Sequence, residues 1–148
     1  MELNKKEIMQ EQWIKWEPIH NLAQKYDIDS VSETTDCLNI VLSEEKNSEK
    51  KVQIIFESSV ICYRKTDETF ALQKISELNA KYGKEFYARW TFFKVYDSEY
   101  LQWFGQQSYN LSEAYELQHF SIVTPDLIFD IVTPQEPKVI EINTINEE

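Results

Sequence analysis

The residues best suited to acid–base or nucleophilic chemistry are few and scattered in this sequence. Of the two histidines, His20 and His119, the second stands at the start of a predicted strand. Cys62 precedes the cation Arg64, but a catalytic thiolate needs a base as well as an electropositive site. Neither histidine can be placed beside Cys62 from the sequence. We therefore interpret Cys62 as a small core residue and His119 as the candidate base of an enzymatic alternative.

Established catalytic and ligand-binding motifs are absent from the sequence. There is no Gly-x-Ser-x-Gly nucleophile elbow. Only Gly83 and Gly105 occur, which excludes the glycine-rich phosphate loops. Asp126 and Asp130 share one face of a predicted strand, but they stand about 13 Å apart and cannot chelate one ion together. We expect no catalytic residue, no metal site and no cofactor.

Acidic residues are concentrated in the last third of the chain. The net charge is −11; residues 1–96 hold 16 acidic and 14 basic residues, and residues 97–148 hold ten acidic residues and one basic residue, Lys138. Nucleic-acid binding is not expected, because phosphate must be met by Lys and Arg. The acidic surface favours a basic protein partner, although such surfaces also simply keep proteins soluble. The predicted partner-binding residues are Glu113, Glu116, Asp126, Asp130 and Glu136.

Length and composition predict one domain that spans residues 1–148, since 148 residues suffice for a substantial core. No apolar run approaches the roughly 20 residues of a membrane-spanning helix. The first residues lack the apolar centre of a signal peptide, and two cysteines are too few for a disulfide framework. We expect a cytoplasmic protein with reduced thiols and no membrane association.

The elements that would position these residues are centred on 86–109, where ten of 24 residues are aromatic. The pattern predicts a strand buried on both faces. A short helix over 97–104 follows, which Asp97 begins and Gly105 ends. Aromatic runs also line ligand pockets, so a small-molecule site is an alternative to dense core.

The remaining pattern predicts an α+β fold. The clearest helix covers 67–82, where apolar residues recur at helical spacing and Gly83 follows. A further helix is predicted over 3–16 as an N-terminal extension, and residues 143–148 as a frayed tail. We expect one mostly antiparallel sheet of about five to seven strands with two or three helices packed on it. The predicted strands are 26–31, 38–42, 52–63, 119–124, 127–132 and 138–142, the last three forming an antiparallel meander.

Several short strings resemble one known group when taken together. They are Trp16-Glu17-Pro18-Ile19, Tyr63-Arg64 followed by Asp67-Glu68, Ser98-Glu99-Tyr100-Leu101 with Trp103-Phe104, His119-Phe120 with Thr124-Pro125, and Phe129-Asp130-Ile131. Over roughly residues 16–140 the sequence resembles small Gram-positive proteins encoded beside polymorphic toxins. Immunity proteins of the wall-associated, contact-dependent type belong to that group.

The resemblance implies a non-catalytic cytoplasmic protein that binds a cognate toxin domain tightly. Many such toxins are nucleases with basic substrate clefts, which an acidic surface can occupy in place of phosphate. Two alternatives stay open at this point. One is a small-molecule-binding domain or small hydrolase that uses 86–109 and His119. The other is a general protein-interaction domain.

Overall fold

The structure is a computed structural model that describes residues 11–57, 60–111 and 115–143. Within these residues the chain forms nine strands, three α-helices and one 3-10 turn. The strands are β1 (Gln12–Lys15), β2 (Tyr26–Glu33), β3 (Cys37–Glu44), β4 (Lys50–Glu57), β5 (Cys62–Asp67), β6 (Phe92–Tyr96), β7 (Gln118–Val123), β8 (Leu127–Thr133) and β9 (Lys138–Asn143). The helices are α1 (Leu72–Tyr82), α2 (Phe86–Arg89) and α3 (Glu99–Gln107), and the 3-10 turn is Glu68–Phe70.

The strands form two antiparallel sheets, with the orders β1-β6-β7-β8-β5 and β2-β3-β4-β9. The predicted α+β class is confirmed, whereas the prediction of a single sheet is wrong. The single strand predicted over 52–63 is in fact two strands, β4 and β5, which belong to different sheets. The polar sequence that begins at Glu57 offers no apolar side chain to a sheet interior, and the chain changes sheets after that residue.

The two sheets pack face to face around one apolar core. Alternate residues of β3 and β4 are buried, which confirms the period-two pattern, and they include Leu38, Ile40 and Ile54. The rings of Phe56 and Phe120 join the sheets at a centroid distance of 6.1 Å. Burying these aliphatic and aromatic side chains supplies most of the driving force for folding.

Helices cover the other face of the five-stranded sheet. Helix α1 buries Leu78 and ends at Gly83, whose φ of 120° confirms the predicted glycine end. Helix α3 begins at the cap residue Ser98 rather than at Asp97, because the Ser98 hydroxyl accepts the Leu101 N–H. The helix continues through Gly105 to Gln107, so the predicted end at Gly105 is wrong.

The predicted helix over 3–16 is also wrong where the structure describes it. Residues 12–15 form an edge strand that pairs with β6, and residues 3–10 lie outside the described part. Residues three apart on a strand point to opposite faces. Accordingly, Trp13 packs against Phe93 on the helix-covered face, while Trp16 packs against Phe120 in the sandwich core. The two tryptophans therefore lie on opposite faces of the sheet and do not share one face of a helix.

Two further predictions need correction. The strand predicted from Phe86 begins only at Phe92, because Phe86–Arg89 forms a helical turn whose first ring stacks on Tyr82. The expected meander holds for β7 and β8, but β9 leaves that sheet and pairs with β4. Asn143, predicted as the start of a frayed tail, is the last residue of β9 and pairs with Lys50 of β4. The rest of that tail lies outside the described residues.

Candidate functional site

Three of the acidic residues predicted to bind a partner are described and are not gathered on one surface. Asp126 lies in the turn at one end of the β7–β8 hairpin, whereas Glu116 and Glu136 lie beyond its other end. The hairpin length separates them by roughly 17 Å. Glu136 forms an ion pair with Lys94 at 3.2 Å, and Glu116 is exposed. Glu113 lies outside the described residues.

Asp130, the fifth of these residues, is buried. It sits in the middle of β8 with 4% of its surface exposed. The strand turns its carboxylate inward, toward the helix-covered face that also holds His119. The prediction that Asp130 belongs to an accessible acidic surface is therefore wrong.

A buried polar array joins four strand and helix residues on that face. The Ser98 Oγ lies 2.7 Å from Nδ1 of His119. Nε2 of the same ring lies 2.7 Å from Oδ1 of Asp130, and Nε of Arg64 donates to Oδ2 at 3.2 Å. Arg64 also lies over the Tyr100 ring, 3.9 Å from its centroid. Ser98 is the cap residue of α3, and the other three members of the array come from β7, β8 and β5.

Asp130 is held in its ionised form by its neighbours. Burial alone would raise its pKa, but hydrogen bonds and charges from His119 and Arg64 outweigh the effect and lower the pKa from 3.8. The ionised carboxylate can only accept, so Nε2 of His119 carries a hydrogen. Nδ1 of the ring shares its hydrogen bond with the Ser98 hydroxyl.

Ser98, His119 and Asp130 are the residue types of a serine hydrolase, but their arrangement differs from the catalytic one. Hydrolase serines bond to Nε2 of the histidine and the carboxylate to Nδ1, whereas here the two nitrogens are exchanged. Ser98 is 2% exposed, and its oxygen already accepts the Leu101 N–H. The array therefore joins a helix cap to a partly buried ion pair and does not present a nucleophile.

A cleft of about 340 Å³ opens beside the array, between the five-stranded sheet, α1 and the start of α3. His119 and Asp130 contribute to its lining. On the opposite wall the Lys74 ammonium lies 2.8 Å from Glu11 and 3.4 Å from Glu99. Glu11 is buried and accepts hydrogen bonds from three donors. Burial alone would raise its pKa, but the hydrogen bonds from Lys74, Trp13 and the Glu99 N–H lower it. The charged groups of this wall are therefore paired with one another, and the carboxylates outnumber the Lys74 ammonium.

The aromatic stretch 86–109 is divided between the core and the surface, and it contributes few residues to the cleft. Phe92 and Phe93 are fully buried, and the stretch lends the cleft only Glu99 and Tyr100 among the described residues. Phe86, Arg89, Trp90 and Phe93 instead contribute to a separate open hollow of about 610 Å³ that Tyr82 and Lys15 also line. Cys62, expected in the core, is half-buried and lies 3.0 Å from the Tyr100 hydroxyl.

A second group of acidic residues converges at the Asp126 end of the sandwich, and we call it the acidic rim. Its members are Asp27, Glu45, Asp67, Glu68 and Asp126. Each is exposed or half-buried, and none forms an ion pair with another described residue. They come from β2, the β3–β4 turn, the end of β5, the 3-10 turn and the β7–β8 turn. The rim therefore exists only in the folded chain.

Hydrogen bonds of the backbone and of two buried or half-buried side chains hold the rim segments together. The Glu68 N–H donates to the Asp126 carbonyl at 2.8 Å, and the Glu45 N–H donates to the Lys25 carbonyl at 3.0 Å. The Lys25 ammonium donates to the Tyr87 carbonyl at 2.7 Å. The Tyr87 hydroxyl completes the connection, because it donates to the Thr124 carbonyl at 2.9 Å, beside the β7–β8 turn.

The rim carboxylates act on one another and on the groups beneath them. Burial, followed by repulsion from Asp126 and Glu45, raises the pKa of Asp27. Burial and the charges of Glu68, Asp126 and Asp67 raise the pKa of Tyr87 to about 12. Beneath the rim, burial lowers the pKa of Lys25 to about 8, although rim carboxylates oppose the shift. The rim is thus a concentration of like charge that a cationic partner would relieve.

Four of the five rim residues escaped the sequence-based prediction. That prediction selected candidates from the acidic last third of the chain, whereas Asp27, Glu45, Asp67 and Glu68 come from its nearly neutral first part. No spacing rule joins residues from strands of different sheets. Only the Asp67-Glu68 pair gave a local signal, and its acidic character was assigned to the start of a helix.

Comparison of the chain with protein-family models, with curated proteins and with solved structures finds no match. No helix within the described residues is long and apolar enough to cross a membrane. The described residues also contain no group of three or more histidine, cysteine or carboxylate side chains that could hold a metal ion.

Proposed function

We propose that the protein is a non-catalytic binding protein that neutralises a basic toxin domain in the cytoplasm of the cell that produces both. The observation that carries the proposal is the acidic rim, in which five carboxylates from five segments meet without ion-pair partners among the described residues. A partner with a basic surface gains from this potential in two ways. Long-range attraction speeds the encounter, and charge complementarity selects the partner.

The short strings that resemble immunity proteins favour a toxin domain as the basic partner in this proposal. A toxin that cleaves nucleic acid needs a cationic cleft, and the rim offers that cleft an alternative to phosphate. The buried array supports the non-catalytic part of the proposal, since its serine is enclosed and capped. The rim itself contains no histidine or cysteine.

Growth of cells that produce the toxin domain encoded nearest this gene tests the proposal. We expect co-production of this protein to restore growth and to give a stable complex with a fixed stoichiometry. An unrelated acidic protein of similar net charge is the control, because it separates specific neutralisation from general attraction. Failure to restore growth, together with no complex at low ionic strength, would contradict the proposal for this toxin.

The cleft of about 340 Å³ beside His119 supports a second candidate function, the binding of a small polar molecule. Its volume lies within the range of ligand pockets, and Arg64, Lys74 and Tyr100 bring polar groups to it. A ligand screen by thermal unfolding distinguishes the two functions. A compound that raises Tm in the wild type but not in an Arg64→Ala variant would favour the cleft.

A further inference from the structure

We propose that Phe70 and Leu72 form the apolar anchor of the partner interface, an inference that rests on the proposed function. Phe70 is 83% exposed and Leu72 is 62% exposed, whereas Ala71 between them is buried. We call Phe70 and Leu72 the apolar ridge. It lies where the 3-10 turn meets α1, directly after the rim residues Asp67 and Glu68.

The backbone of the apolar ridge is firmly held, so its exposure does not arise from a frayed segment. The Asp67 side chain accepts the Thr69 N–H at 2.9 Å, which caps the 3-10 turn. The Ala71 N–H donates to the Glu68 carbonyl, and the Ala71 carbonyl accepts the Ile75 N–H. The Glu68 N–H in turn is bonded to the β7–β8 turn. An anchor held in this way loses little conformational entropy when a partner binds.

Carboxylates stand on both sides of the apolar ridge. On one side lies the acidic rim with Asp67, Glu68 and Asp126. On the other side Phe70 lines the 340 Å³ cleft together with Glu77 and Glu99. In that cleft the single ammonium of Lys74 is shared among three carboxylates, so negative charge is in excess. The ridge is therefore an apolar patch between two acidic borders.

This arrangement specifies the partner chemistry through charge complementarity. Stable interfaces place a few apolar or aromatic anchors at the centre and polar groups around them. The matching surface is a basic face with an apolar hollow that receives the Phe70 ring, while lysines and arginines of the partner meet the two acidic borders. A single exposed apolar residue would be ordinary, but two on a rigid turn between acidic borders are not.

Titration calorimetry and surface-binding kinetics with the neighbouring toxin domain test the inference. The variants are Phe70→Ala and, as the matched control, Tyr109→Ala, which removes an aromatic side chain that is 94% exposed and lies after the end of α3. Both positions are solvent-exposed, so we expect equal Tm values for the two variants and the wild type. We expect Phe70→Ala to raise Kd by about 30-fold or more, mainly through faster dissociation. The control should change Kd by less than about threefold.

Each outcome distinguishes this inference from the proposed function. If the wild type binds and Phe70→Ala weakens binding as stated, the apolar ridge is the anchor. If the wild type binds and Phe70→Ala leaves Kd within about threefold, the anchor inference is overturned while the proposed function stands. If Tyr109→Ala weakens binding more than Phe70→Ala, the anchor lies near the end of α3 and the inference is overturned. If the wild type neither binds nor protects, the proposed function fails and the inference fails with it.

Discussion

Asp126 and Asp130 lie four residues apart on one hairpin and have opposite environments. Asp130 is buried, accepts hydrogen bonds from His119 and Arg64, and has a lowered pKa. Asp126 is exposed, forms no ion pair with any described residue, and adds to the repulsion that raises the pKa of Asp27. The first carboxylate stabilises the fold, and the second gives the surface a charge that a partner can use. Residue type alone does not separate these roles, because only burial and pairing do.

The same contrast holds for the two regions around these residues. The buried array is satisfied internally, with Ser98, His119, Asp130 and Arg64 bonded in sequence. The five carboxylates of the acidic rim form no ion pair within the described residues, and backbone and side-chain hydrogen bonds hold their segments together. A site whose groups are already paired contributes stability, whereas a site with unpaired charge on a fixed scaffold is suited to binding.

The largest expected effect is on stability and comes from Asp130→Asn. The amide replaces one carboxylate oxygen with an NH2 group, so one of the two present donors meets another donor, and the Arg64 guanidinium loses the charge of its partner. We expect the free energy of unfolding to fall by about 2 kcal/mol, in the range for leaving a buried polar group without its hydrogen-bond partner. Urea unfolding followed by tryptophan fluorescence measures it. Asp126→Asn is the matched control and should change stability by less than about 0.5 kcal/mol; equal effects of the two variants would contradict the contrast.

A smaller effect is expected when the free energy of unfolding is measured at acid pH. The folded-state pKa of Asp130 lies below its ordinary value of 3.8, so the folded state holds this proton less tightly than the unfolded chain does. Its contribution is therefore complete above the unfolded pKa and is lost as the pH falls through the folded one. We expect the stability difference between wild type and Asp130→Asn to be largest near neutral pH and to shrink below pH 3.8. A difference that stays constant between pH 7 and pH 3 would show that the carboxylate charge is not responsible.

Local signals in the sequence predicted several elements correctly. The glycine at position 83 predicted the end of α1, and the proline at position 125 predicted the β7–β8 turn. The failures have one physical cause, which is tertiary pairing that overrides local periodicity. Residues 12–15 read as a helix but complete the edge of a sheet, and the break between β4 and β5 depends on which partner strand each one finds.

The site was harder to predict than the fold. Asp130 and His119 are eleven residues apart and come together only because β7 and β8 pair in one register. Ser98 joins them from the cap of α3, and its partner His119 lies 21 residues further along the sequence. The rim needs strands from both sheets, so its members become neighbours only after the sandwich forms. The apolar ridge gave a helical signal in the sequence, and its exposure is visible only once α1 is docked.

In the proposed function the acidic rim, rather than the net acidity of the protein, guides the partner. The most direct measurement is the association rate constant with the toxin domain at low and high salt for two variants of equal charge change. One is Glu68→Lys with Asp126→Lys in the rim, and the other is Glu116→Lys with Glu136→Lys at the opposite end of the hairpin. We predict that the rim variant slows association about tenfold or more at low salt and loses most of the salt dependence, while the other changes it much less. Equal slowing by both variants, or slowing by the Glu116 and Glu136 variant alone, would contradict the account.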